Sequence, residues 1–363
     1  MSTHIAVAHG PGETRVAVLT DGRAVELGFD RPATPDLVGA IFRGRVTARV
    51  PAMAGAFIGL GGGADGFLPD SAGAAGRTEG APVLVRVTRA AQEGKGPRLA
   101  ALADPAGFDP AGPPALLRPA PSAVLRLAAA FPEAPVAVDP LALRATLRPA
   151  LGERLIAGAG FDDALESELA ALATPVAALP GGGCARIHPT PALTAIDLDA
   201  GAATAARAAK GRAQLAWNLA ALPELARQIR LRALGGAILI DFAGLPIPRR
   251  AALAEPLRAA LAADPAAPRL LGFTRLGLAE LVRPRIHPPL HTLLGTPQAE
   301  ALAALRAVLR EVAARPAWAP ALRCGAAIAA ALAADPGALA EAASLAGRLI
   351  AVVPAAIAGW ELG

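Results

Sequence analysis

Two apolar runs that carry acidic residues stand out in the hydrophobic pattern of this chain: Thr194-Ala195-Ile196-Asp197-Leu198-Asp199 and Gly235-Gly236-Ala237-Ile238-Leu239-Ile240-Asp241-Phe242. Both read as short, β-branched strands. Side chains alternate along a strand, so Asp197 and Asp199 point to the same face. Between the runs lies a basic, helical segment, Ala205 to Leu234, with Leu215, Leu219, Leu222, Ala226 and Ile229 along one side. Pro223 is expected to kink or divide that helix, and Gly235-Gly236 to stop it. A helix in this position returns the chain so that the two strands lie side by side. Asp241 then falls at a strand end, where sites collect in such sheets.

The aspartates occupy positions where the pattern calls for core residues. A carboxylate inside an apolar strand is costly unless it is paired, and a bound divalent cation neutralises several at once. Asp197, Asp199 and Asp241 are therefore metal-ligand candidates. A turn cap or an ion pair with arginine accounts for the same residues, and both readings stay open at this point.

The rest of the pattern divides the chain. Ile5 to Leu27 alternates like a hairpin, turning at Asp21-Gly22. From Val38 to about Arg98 come short β runs with glycine and proline corners, the layout of a small closed barrel of the OB type. Residues 105–176 are proline- and alanine-rich, with helices expected over Arg118–Phe131 and Asp163–Leu172 and a strand at Val136–Asp139. Beyond the two acidic strands, Arg249–Ala263 reads as helix, Arg269–Phe273 as strand, Leu276–Val282 as a short helix, and Gln298–Leu345 as proline-punctuated, alanine-rich helix before a last apolar stretch.

Composition sharpens part of this picture. The chain has no Tyr and nine Phe among 363 residues, so Phe57 and Phe67 in the barrel are informative. With Arg43, Arg45, Arg49, Arg86 and Lys95 around them they suit an aromatic platform for bases in a basic groove; filling of the barrel interior is the plainer alternative. A hydrophobic fraction of 54% and a mean hydropathy of +0.44 look membrane-like, but alanine supplies much of the apolar count. The longest apolar stretch, Leu349 to Trp360, contains Pro354 and is about half of the roughly 20 residues of a span. No membrane span is expected, and with no leader pattern at Met1-Ser2-Thr3-His4-Ile5 a cytoplasmic location is expected. Two distant cysteines, Cys184 and Cys324, exclude a disulfide framework and an ordinary cysteine-rich zinc site. The formal charge of +5, mostly from arginine, is compatible with phosphate and nucleic acid without establishing either.

Several motifs together resemble the ribonuclease E/G family of bacterial endoribonucleases. Glu13-Thr14-Arg15-Val16-Ala17, Val38-Gly39-Ala40-Ile41-Phe42-Arg43-Gly44-Arg45-Val46, Ala56-Phe57-Ile58 and Gly66-Phe67-Leu68-Pro69 are similar to its N-terminal strands and inserted S1 domain. Leu179-Pro180-Gly181-Gly182-Gly183, Ala192 to Asp197, Ala226 to Arg232 with Asp241-Phe242, and Phe273-Thr274-Arg275-Leu276-Gly277-Leu278 are similar to its catalytic block. The resemblance covers roughly residues 1–104 and 177–296. It implies an α+β, multi-domain fold: an RNase H-like N-terminal part (1–35) with an inserted S1 (OB-type) β-barrel (36–104), a shortened RNase H-like or linker region (105–176), a DNase I-like α/β catalytic domain (177–296) and a small α-rich C-terminal domain (297–363).

The resemblance further implies a Mg²⁺-dependent endoribonuclease that cuts single-stranded RNA to 5′-phosphate and 3′-hydroxyl products. Asp197 and Asp241 take the positions of the family's metal aspartates, with Asp199 beside them in the catalytic set. Phe57, Phe67, Lys95 and Arg275 take positions implied to contact RNA. The chain also departs from the family. Asp199 replaces an asparagine, Gly244 replaces an acidic residue three after the second metal aspartate, and the zinc-sharing cysteines are missing, so an oligomer held by zinc is not expected while a homo-oligomer of another kind stays open. No Arg-Thr pair that senses a 5′-monophosphate is found, and Arg144-Ala145-Thr146 is a poor substitute. Little dependence on the RNA 5′ end is expected. An RNA-binding protein with weak or no nuclease activity is the rival reading, favoured by Asp199 and Gly244; a DNA nuclease shares the metal site but explains the S1 domain less well.

Overall fold

The structure is a computed structural model that describes every residue except 1, 93, 104–106, 140, 159 and 202–209, and the side chains of 210 and 211. The chain forms two compact units, Met1–Ala33 with Leu127–Pro284 and Pro289–Gly363, and Thr34–Arg126 with Arg285–Pro288.

Three antiparallel strands open the first unit: β1 (Thr3–Gly10), β2 (Glu13–Thr20) and β3 (Arg23–Asp30). The chain then leaves for the second unit, whose strands are β4 (Ile41–Val50), β5 (Gly55–Gly59), β6 (Gly66–Pro69), β7 (Pro82–Arg89), β8 (Arg98–Ala101) and β9 (Ala115–Arg118). Their order is β5-β6-β8-β7-β4-β9, and a β4–β5 pairing closes the first five into a barrel. Val46, Ile58, Leu68, Val85, Val87 and Leu99 fill its interior. Gly44 is required there by space: a Cβ would stand 2.4 Å from Ile58 Cγ2. Strand β9, past the boundary read at residue 104, pairs with β4. The short segment Arg285–Pro288 also belongs to this unit, where the Ala90 N–H donates to Ile286 O (2.9 Å) and Gln92 Nε2 to His287 O (2.9 Å).

After helix α1 (Ala123–Ala130), strands β10 (Val136–Val138) and β11 (Leu155–Ile156), with helix α2 (Leu141–Leu151) between them, complete a sheet of order β11-β10-β1-β2-β3. Helix α3 (Asp163–Leu172) starts at an Asp162 cap, whose Oδ1 accepts from the Leu165 N–H at 2.8 Å. Its Leu165, Leu169 and Leu172, at helical spacing, share a core with Ala6, Ala17 and Leu19 of that sheet.

The site-bearing sheet is built from β12 (Val176–Ala178), β13 (Cys184–Pro189), β14 (Leu193–Asp199), β15 (Gly236–Asp241), β16 (Arg269–Phe273) and β17 (Ala279–Arg283), in the order β12-β13-β14-β15-β17-β16. Helix α4 (Lys210–Leu231), the short α5 (Ile247–Arg250) and α6 (Ala254–Leu261) connect its later strands. Ala221, Leu222, Leu225 and Ile229 of α4 and Leu257 and Leu261 of α6 share one core with Ile196, Leu198, Ile238 and Ile240. Each buried Leu or Ile among them contributes roughly 1.5–3 kcal/mol, which pins the register of both strands. The opposite face leaves Arg186, Ala195, Asp197 and Ala237 exposed.

Several expectations change here. Leu276–Val282 is not a helix: Ala279–Arg283 is a strand held between β15 and β16, because pairing on both edges outweighs weak local helix preference. Pro223 does not divide α4, which runs unbroken from Lys210 to Leu231; Ala205–Ala209 lie outside the described residues. Nor do the two glycines end that helix. Ala233 takes the left-handed conformation (φ 48°) and the Leu234 N–H closes onto Ile229 O at 3.1 Å.

The C-terminal region holds α7 (Leu290–Leu294), α8 (Pro297–Ala314), α9 (Ala326–Ala334) and α10 (Pro336–Ala346) with a three-stranded sheet of β18 (Ala321–Cys324), β19 (Ala351–Pro354) and β20 (Trp360–Leu362). Leu302, Leu305, Val308, Ile328 and Leu332 form its core. Among the described residues no single helix is long and apolar enough to cross a membrane.

Candidate functional site

Strands β14 and β15 run parallel, and their register sets Asp197 directly beside Asp241. Neighbouring strands are about 4.8 Å apart, so the two carboxylates rise side by side from the carboxyl ends of both strands, the place where open sheets carry ligands. Asp199 follows on the same face. These aspartates are not core residues: the side chains of Asp197, Asp241 and Asp199 are 57%, 50% and 45% exposed. The apolar positions between them face the helices, and the acidic ones face outward.

Two arginines meet the three carboxylates. Arg186, the antiparallel register partner of Asp197 on β13, places Nη1 3.4 Å from Asp197 Oδ2 and donates from Nη2 to Asp199 Oδ2 at 3.1 Å. Arg250, at the end of α5, donates from Nη1 to Asp241 Oδ1 at 2.7 Å. The same guanidinium also donates to Leu245 O (2.8 Å) and Gly277 O (2.9 Å), which fastens the loop after β15 and the turn after β16 around Asp241. The Asp199 Oδ1 accepts from the Gly201 N–H at 2.9 Å. That backbone donor, with Arg186 after it, holds the Asp199 carboxyl below the usual carboxylate range; the Asp199 contact in turn raises Arg186 above its ordinary value.

The Leu179-Pro180-Gly181-Gly182-Gly183 motif supports this corner. Gly181 and Gly182 take positive φ (71° and 80°), and Trp217 of α4 donates from Nε1 to Pro180 O at 2.9 Å. At Gly183 a Cβ would stand 2.3 Å from Trp217 Cζ2 and 2.6 Å from Asp199 O. Asn218, fully buried, donates through Nδ2 to Gln214 O (2.7 Å) and Ala243 O (3.1 Å), which ties the loop after Asp241 to α4. Gly244 in that loop has φ +57°, and a Cβ there would meet Gln214 Nε2 at 2.4 Å. The missing acidic side chain at Gly244 is thus matched by backbone conformation and by the buried Gln214.

Of the remaining candidates, Arg275 is exposed in the turn that Arg250 joins to Asp241. Phe57, Phe67 and Lys95 all belong to the barrel unit. Phe57 and Phe67 are register partners on β5 and β6, half-buried, with ring centroids 5.7 Å apart at 66°. Their neighbours Ala56, Ile58 and Leu68 take the interior positions, so the two rings stand on the outer face of the barrel. Exposed Lys95 is in a turn whose next residue, Gly96, lies against the Asp65 backbone just before β6. Three of the surrounding arginines are engaged locally: Arg43 with Pro113 O, Arg45 with Gly80 O and Arg49 with Asp70.

The chemistry of the Asp197–Asp241 pair fits a hard divalent cation that keeps most of its water and takes few protein ligands. It does not fit an enclosing cage: among the described residues no group of three or more His, Cys, Asp and Glu is placed to hold a metal ion. Sequence reasoning missed Arg186, Arg250, Trp217 and Asn218. Arg186 alone had a legible signal, an arginine between two apolar residues, Ala185 and Ile187, that face the core.

The model of the ribonuclease E/G family matches residues 161–286, the stretch that contains Asp197, Asp241, Arg250 and Arg275. Over this segment the chain is similar to the ribonuclease E/G family. Ribonuclease E of Nostoc sp. (strain PCC 7120) is 43% identical over 109 residues, 30% of this chain and 16% of the relative. Ribonuclease E of Escherichia coli (strain K12) is 38% identical over 131 residues, 35% of this chain and 12% of the relative. The chloroplastic ribonuclease E/G-like protein of Arabidopsis thaliana is 32% identical over 126 residues, 34% of this chain and 13% of the relative. The chain thus spans 12–16% of the length of these relatives, and the family segment centres on the six-stranded sheet.

Proposed function

We propose that this protein is an endoribonuclease that cuts single-stranded RNA in RNA processing or decay, using Mg²⁺ held by Asp197 and Asp241. The observation that carries the reading is the parallel register of those two residues at the outward face of β14 and β15, inside the family-matched segment. Mg²⁺, when bound, supplies polarisation of a phosphate oxygen and a more acidic water. The protein's own part is positional. Asp197 and Asp241 present the oxygens, and Arg250 fixes the orientation of Asp241 through two backbone carbonyls. Exposed Arg275 offers a planar fork for a phosphate of the RNA strand. On the barrel, Phe57 and Phe67 stack unpaired bases while Lys95 meets the backbone, an arrangement that selects single strands. Attack on the phosphorus from the side opposite the 3′-oxygen gives 5′-phosphate and 3′-hydroxyl products. The sheet interrupted by the barrel supports the RNase H-like part with an inserted S1 domain, and the six-stranded sheet the DNase I-like block.

The reading is tested by cleavage of a labelled, unstructured RNA oligonucleotide by wild type and Asp241→Asn, with Mg²⁺ and with EDTA. Metal-dependent internal cuts that vanish in the variant are expected. The arginine partners of the carboxylates favour a second reading, an RNA-binding protein without catalysis; RNA binding by well-folded wild type with no cleavage establishes it instead.

A further inference from the structure

We propose that Arg186 is a built-in counter-cation: it holds Asp197 and Asp199 in the metal-free protein and sets the divalent-cation concentration at which the site fills. The inference rests on the metal-site reading above.

The two arginines at the site are held differently. Arg250 is only 12% exposed and has two backbone carbonyls besides Asp241, so it keeps its place whether or not the carboxylate turns to another cation. The Arg186 side chain is 44% exposed, and among the described residues its guanidinium has hydrogen bonds only to the carboxylates of Asp197 and Asp199. Its guanidinium is thus held at the site by the two carboxylates, without the backbone carbonyls that fasten Arg250. Exposed ion pairs of this kind are weak, so the guanidinium leaves at small cost. It must give way for a cation to take Asp197 Oδ2, because its Nη1 already stands 3.4 Å from that oxygen.

Asp199 makes the arrangement a pair. Its Oδ2 is the closer of the two acceptors at 3.1 Å, while its Oδ1 is already engaged by the Gly201 N–H. The extra carboxylate therefore serves first as an anchor for Arg186, and the charge of the two nearly cancels. An Asp199 without Arg186 would instead add a full negative charge beside the metal. The sequence supplies both, on adjacent strands of the same face, and a compensated site fills only at higher cation concentration than an uncompensated one.

Mn²⁺ is the probe, because its free form is counted directly by electron paramagnetic resonance, with Mg²⁺ added as competitor. Binding is measured on the full chain for wild type, Arg186→Gln, Arg186→Lys and Asp197→Asn, each checked for native circular dichroism and an unchanged melting profile. Arg186→Gln is expected to bind Mn²⁺ about fivefold more tightly, the scale of one exposed ion-pair interaction. Arg186→Lys keeps the charge without the fork and is expected to fall between it and wild type. Asp197→Asn is expected to lose the site. Binding that depends on Asp197 but is unchanged or weaker in Arg186→Gln overturns the counter-cation role and leaves the metal site standing. Absence of binding in wild type, or binding that survives Asp197→Asn, overturns the metal-site reading and this inference with it.

Discussion

Replacing Gly183 by alanine tests whether the Pro-Gly-Gly-Gly motif serves packing. The added methyl would sit 2.3 Å from Trp217 Cζ2 and 2.6 Å from the Asp199 carbonyl oxygen, against ordinary contacts of 3.4–4 Å. Neither neighbour yields easily. Trp217 is 8% exposed and hydrogen-bonded to Pro180 O, and the Asp199 backbone is locked in the β13–β14 ladder. Forcing one methyl into such a place costs up to about 3 kcal/mol. With a urea slope of about 3 kcal/mol per molar, the unfolding midpoint falls by about 1 M. Trp217→Phe removes the crowded benzo ring atom and the hydrogen bond together. It is destabilising alone, but the double variant is expected to be at least 1 kcal/mol more stable than the sum of the single effects, the sign of residues in contact. The assay is urea unfolding followed by far-ultraviolet circular dichroism on the four proteins. A Gly183→Ala midpoint equal to wild type, or strict additivity in the cycle, would falsify the packing account and leave backbone approach to a ligand as the reason for the glycine.

The remaining predictions use other contacts. Gly244→Asp places a side chain at φ +57° and against Gln214 Nε2; it is expected to cost about 1 kcal/mol and to leave RNA cleavage no higher than wild type, as urea unfolding and the oligonucleotide assay check. Burial acts to raise the Glu166 carboxyl, but its fork with Arg15 (2.7 and 2.8 Å) outweighs this and holds it below its ordinary 4.5. A lowered folded-state value gives stability that is present above pH 4.5 and lost as pH falls through the folded value. Glu166→Gln is therefore expected to lower stability by about 1 kcal/mol at pH 7, with the gap to wild type closing as unfolding is repeated down to pH 3. Phe57→Ala and Phe67→Ala are each expected to weaken binding of an unstructured RNA about tenfold or more through lost stacking, whereas Lys95→Ala lowers the salt dependence of binding by about one ion; equal salt slopes in all three would refute the division of roles. Thr146 Oγ1 donates to Ala142 O within its own helix, so 5′-monophosphate and 5′-hydroxyl versions of one oligonucleotide are expected to be cut at similar rates, and a large preference for the phosphate refutes this.

Most of the local order was legible along the chain. Alternation in Thr194–Asp199 and Gly235–Phe242 marked two strands, helical spacing marked α3 at Asp163–Leu172, and glycine corners marked the barrel. Those signals are local, since side-chain period and backbone freedom are properties of a few consecutive residues. Long-range contacts decided the rest. Ala279–Arg283 is a strand only because β15 and β16 flank it, and Pro223 is absorbed in a helix packed along its length against the sheet. The segment Arg285–Pro288 joins the barrel unit far from it in sequence. The site shows the same division. Which residues carry charge was legible, including the shared face of Asp197 and Asp199. That the face is open, that Asp241 stands in register with Asp197, and that Arg186 and Arg250 hold the carboxylates were not. Strand register and ion pairing join residues distant in the chain, and their energies depend on distance and burial, which exist only once the strands have been laid side by side.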